Sequence, residues 1–129
     1  MCLRGASAVE DVLRRNANDH LHVLVVWEPI LPMDFARPNR WVRSRINDSR
    51  VTQFWDQGHL VATELEHRLP ADIQLHCCRR KGVLWDVVAL YTHNADWEDA
   101  SPDFMDGPVV KASDSLERRL REIGEQAHF

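Results

Sequence analysis

Apolar and polar positions alternate along this chain at two different periods. Val9, Val12 and Leu13 recur at helical spacing behind Ser7-Ala8-Val9-Glu10. That tetrad reads as a capping box: Ser7 can accept from the Glu10 amide, and Glu10 can reach back to the amide of Ser7. The spacing predicts a first helix ending near residues 16–19. Residues 21–27 are short, β-branched and apolar on both faces, which predicts a central strand covered on both sides. Asp34 is placed to cap a second helix with Trp41, Val42 and Ile46 as its apolar stripe, and Pro38 either starts or kinks it. Asn47-Asp48-Ser49 is turn chemistry, and residues 50–55, RVTQFW, predict a strand. Asp56 can then cap a helix over residues 59–69 that turns Leu60, Val61, Leu65 and Leu69 inward, with Pro70 as its stop.

Residues 71–82 carry no clear period. VLWDVVALY, residues 83–91, is the strongest strand pattern in the chain. The acidic stretch 94–108 reads as loop, and residues 109–112, VVKA, as a short strand. Ser113 or Asp114 caps a last helix with Leu116, Leu120 and Ile123 inward, which Gly124 is placed to end. Strands alternating with helices imply parallel pairing and helices on both sheet faces. Two late strands with no helix between them imply an antiparallel edge.

Composition narrows this. The chain has 129 residues, 44% hydrophobic and 28% charged, which fits one domain spanning 1–129. A chain of this length can bury roughly two thirds of its unfolded surface and needs neither disulfide nor metal to fold. A net charge of −4 speaks against a nucleic-acid binder driven by overall charge. No run approaches the roughly 18 apolar residues of a membrane span. Cys2 follows Met1 directly, no signal-peptide core is present, and a cytoplasmic protein is expected. The three cysteines, Cys2, Cys77 and Cys78, are odd in number and are expected to rest as thiols in a reducing cytosol.

The element order resembles the thioredoxin-like superfamily. Thioredoxins carry Cys-Gly-Pro-Cys after their first central strand and a further proline beyond it. Ile30-Leu31-Pro32-Met33 stands in that place here, and Pro38 lies five residues after Met33, so both prolines fall in register. The resemblance implies a three-layer α/β sandwich, with a mixed sheet of about four to five strands and helices on both faces. The departures imply a member without the dithiol motif. Ile30 and Met33 cannot attack a disulfide, Leu24 stands where the family keeps a buried acid, and no proline precedes Val83. A resemblance of this kind implies a non-redox binding or interaction module, holding a protein partner or small molecule at the former active-site end.

Several groups are candidates for chemistry. In open α/β sheets ligands bind beyond the carboxyl ends of the strands. Trp27, Glu28, Pro29, Asp34 and Asp56 belong to that end, although Asp34 and Asp56 read equally as helix caps. Cys77-Cys78, flanked by His76, Arg79 and Arg80, is the alternative centre. Adjacent thiols there would serve redox chemistry or hold a soft metal or metalloid. A structural disulfide between neighbours is not expected. His20 and His22 share a strand face and His59 and His67 a helix face, but no third residue completes a metal site, and no cofactor is expected. Asp86 interrupts the apolar run 83–91 and reads as a buried anchor for an arginine. Arg37, Arg40, Arg43, Arg45 and Arg50 oppose Asp96, Glu98, Asp99, Asp103 and Asp106, either within the chain or between subunits of a homo-oligomer. Trp97, in the acidic stretch, is a candidate interface aromatic.

Overall fold

The computed structural model describes residues 3–17, 20–29, 37–75 and 77–126. The elements run α1 (Leu3–Arg15), β1 (Val23–Trp27), α2 (Arg40–Arg43), β2 (Val51–Trp55) and α3 (Leu60–His67), then β3 (Arg79–Arg80), β4 (Val83–Leu84), β5 (Val88–Leu90), β6 (Phe104–Asp106) and α4 (Val109–Gln126). The expected parallel pair is present: β1 lies beside β2, with Val23 opposite Val51 and Trp27 opposite Trp55. Period two decides which side chains point inward. Val23, Val25, Trp27, Val51 and Trp55 pack with Ala6, Leu13, Val42 and Ile46, so α1 and the α2 segment cover one face. A second core joins Val12 of α1 to Leu116 and Leu120 of α4, with Val88, Leu90 and Phe104 against it.

The thioredoxin-like sandwich is not what the chain forms. Its described strands make three separate two-stranded sheets, β1–β2 parallel and β3–β4 and β5–β6 antiparallel. The reason lies in residues 83–91. Asp86 takes a left-handed φ of 53° and breaks the apolar run into β4 and β5. Each short piece pairs with its own neighbour rather than extending β1–β2. Nor is β1 covered on both sides: Leu24 is 67% exposed and Phe54 of β2 is 49% exposed.

Local differences have local causes. Ser7 lies inside α1, and Glu10 reaches the Asn47 amide at 3.2 Å instead of closing a capping box. Asn39, not Asp34, caps α2, accepting from the Val42 amide at 2.9 Å; Asp34 and the motif positions 30–33 lie outside the described residues. In α3 the buried residue is Ala62, while Leu60 is 76% exposed. Residues 104–106, read as loop, form β6. Residues 109–112, read as strand, open α4, which runs past Ser113 and Asp114 and beyond Gly124. Among the described residues Asp86 pairs with no arginine. Its Oδ1 accepts from the Val109 amide at 3.2 Å, at the start of α4.

No described helix is long and apolar enough to cross a membrane.

Candidate functional site

The parallel register makes the site. With Trp27 opposite Trp55, the residues just past each strand become neighbours, and the Asp56 amide donates to the Trp27 carbonyl at 2.7 Å. Asp56 then turns its carboxylate onto the next helix, Oδ1 accepting from the Leu60 amide and Oδ2 from that of Val61, both at 2.9 Å. Two of the amides that a helix N-terminus leaves unpaired are satisfied, and the negative charge complements the dipole there. Between cap and helix, His59 adopts a left-handed φ of 56°. In that conformation its Nδ1 lies 3.0 Å from Oε2 of Glu28, the first residue after β1.

Glu28 is therefore a largely buried carboxylate against an imidazole. Burial pushes its pKa above the usual carboxylate value, and the charge of Asp56 adds to this, while the hydrogen bond from His59 opposes both. A carboxylate on one ring nitrogen fixes the imidazole's orientation. The pair can hold a proton or present a polar group to a bound partner. Among the described residues no serine, threonine, lysine or cysteine side chain is hydrogen-bonded to it.

Of the residues expected at this end, Glu28 and Asp56 do come together. Trp27 instead faces the core, its indole N–H donating to Oε1 of Gln53 at 2.8 Å, and Pro29 is half-buried beside Glu28. Asp34 lies outside the described residues. Spacing along the chain does not bring His59 to Glu28; only the lateral register of two strands does. The signal available was Gly58-His59 directly after a strand and its cap.

Open clefts of 480 Å³ and 450 Å³ lie elsewhere, one between the end of α1 and residues 47–50, the other along α1 beside Arg45 and Val110. Among the described residues no group of three or more His, Cys, Asp or Glu side chains could hold a metal ion.

Cys77 and Cys78 are not free thiols in this structure; a disulfide joins them. Cys78 takes a left-handed φ of 71°, which turns its side chain toward that of its neighbour. Arg40, Arg43 and Arg45 are exposed, the last lying 4.4 Å over the Trp41 ring. Asp96, Glu98 and Asp99 are exposed as well. Among the described residues no ion pair joins these two groups; Asp103 pairs with Arg119 instead, at 2.5 Å. Arg68 stacks over exposed Trp97 and donates to its carbonyl.

No family model, no curated protein and no solved structure matches this chain.

Proposed function

We propose that this chain is a non-redox protein-interaction module, cytoplasmic, whose partner is a second copy of itself docked on the open face of β1–β2. The observation that carries the reading is the outward exposure of Leu24 and Phe54 on a two-stranded parallel sheet. Parallel sheets are found almost always with both faces covered. Exposed apolar patches on otherwise polar surfaces mark contact sites. The corner beside this sheet, where Glu28 and His59 lie 3.0 Å apart just past the strand ends, adds a polar contact point at its rim.

Charge offers copies of the chain a second place to meet. Arginines 40, 43 and 45 and the acids 96, 98 and 99 make no ion pairs with each other inside the chain, among the described residues. Because α2 and its arginines lie over the face of β1–β2 opposite Leu24 and Phe54, any pairing of these groups between copies is a contact separate from the open sheet face. The chain's net charge of −4 supports a protein rather than nucleic acid as the partner.

Sedimentation equilibrium of the full chain tests this. Dimerisation should rise with concentration and be lost in a Leu24→Lys, Phe54→Lys double variant whose thermal unfolding stays cooperative. A wild-type chain that remains monomeric at high micromolar concentration, or a double variant that dimerises equally well, would refute it.

A further inference from the structure

The bond between Cys77 and Cys78 brings two sulfurs to one side of the backbone. Their surroundings are unequal. Cys77 is half-buried, whereas Cys78 is 4% exposed, and its sulfur packs so closely on Gly107 that a Cβ there would lie 3.0 Å from it. The Cys78 carbonyl accepts from the Trp85 amide at 2.9 Å, tying the pair to the β3–β4 hairpin. Once the disulfide is opened, this arrangement leaves two thiols side by side, reached from the Cys77 side. Among the described residues no further His, Cys, Asp or Glu completes a larger ligand set. Structural zinc asks for four protein ligands, and calcium and magnesium ask for oxygens. A trivalent arsenic centre differs: it is soft, pyramidal, and satisfied by two thiolates plus a substituent of its own.

We propose that the reduced Cys77–Cys78 pair is a two-thiolate chelate for a trivalent arsenical, and that the disulfide is the form that excludes it. Nothing in this depends on the outer face of β1–β2. The chemistry balances in two stages. A phosphine reductant breaks the S–S bond, giving two thiols, and leaves as its oxide with the oxygen taken from water. An arsenical carrying two hydroxyls then forms two As–S bonds and breaks two As–OH bonds. The two thiol protons depart with the hydroxyls as two waters, and arsenic stays trivalent. The sulfur of Cys77, the less buried residue of the two, reacts first, and ring closure onto Cys78 comes second.

Hydrated phenylarsine oxide is the probe, read by mass spectrometry of the intact, folded chain. Phosphine-reduced protein should take one phenylarsenic group per chain with loss of both thiol protons, and keep it against excess glutathione. Cys77→Ser and Cys78→Ser should each bind at least ~100-fold more weakly, because only one thiol remains and the gain in effective concentration is lost. Cys2→Ser should bind as wild type does. Wild-type protein left oxidised, whose fold no substitution has altered, should take none. An adduct that survives glutathione in Cys77→Ser or Cys78→Ser, one that disappears in Cys2→Ser, equal uptake by oxidised protein, or no adduct on reduced wild type with native circular dichroism would each overturn the proposal.

Discussion

Asp56 and Glu28 lie just past neighbouring strands, yet their carboxylates have different work. Both oxygens of Asp56 accept backbone amides of α3, so its removal exposes a helix end. Asp56→Ala should cost about 1–2 kcal/mol in urea unfolding, and Asp56→Asn, which keeps an accepting oxygen, clearly less. Equal losses would show that charge rather than capping holds this end. Glu28 has a raised pKa, with burial as the largest cause. Its ionisation is disfavoured in the folded chain relative to the unfolded one. The stability it contributes is therefore complete below the unfolded carboxylate range and is lost as pH rises through the raised folded value. Relative to Glu28→Gln, which cannot ionise, wild type should lose stability as pH rises above the unfolded carboxylate range. A pH-independent difference in melting temperature would show that Glu28 ionises as readily folded as unfolded. Asp56 as a cap was legible, because an acid between a strand and an apolar helix is a local pattern. The Glu28–His59 contact was not, because it depends on which residues two distant strands place side by side.

At the scale of elements, α4 and residues 83–91 explain each other. The apolar run was plain in the sequence, but its break at Asp86 was not. That residue's left-handed backbone goes with a carboxylate that accepts from Val109, 23 positions further on. The start of α4 was misread for a related reason. Val109 and Val110 favour a strand, yet the carbonyl of Pro108 accepts from Lys111 and Ala112 and begins the helix. A proline at a helix start was the available cue. Gly107 lies under this junction, where an added Cβ would sit 2.5 Å from the Asp86 carbonyl oxygen and 3.1 Å from Cγ1 of Val87. A backbone oxygen cannot swing aside as a side chain can. Gly107→Ala should therefore destabilise by about 1–3 kcal/mol or more. Gly124, inside the same helix, has nothing within 4 Å of an added Cβ. Gly124→Ala should stabilise by about 0.5–1 kcal/mol, since alanine loses less backbone entropy in a helix. Thermal unfolding of both variants checks the pair, and a shift in the same direction for the two would contradict the packing described at Gly107.

For the whole molecule, the alternation of helix and strand patterns correctly implied a parallel pair, β1 with β2. It overreached in joining the later strands to that pair, because hydrophobic period records which face is apolar and not which strand lies alongside. Strands of two or three residues cannot span a layer, so one face of β1–β2 stays open. The two unjoined charge groups offer copies of the chain a contact of their own, since α2 lies across the sheet from the open face, and charge can test it apart from hydrophobic contact. Changing Arg40 and Arg43 to glutamate gives a chain with both patches acidic. Changing Asp96, Glu98 and Asp99 to lysine gives one with both patches basic. Each variant alone sets like charges against each other at that contact and should dimerise less than wild type. Mixed, they offer opposite charges at both contacts and should form a heterodimer. Its affinity should fall as salt rises, since exposed charges are screened beyond roughly 8 Å at physiological ionic strength. Native mass spectrometry separates the two species, whose masses differ. Homodimers of either variant as abundant as those of wild type would rule out these patches as the source of recognition. So would a mixture that gives no heterodimer while both chains remain folded.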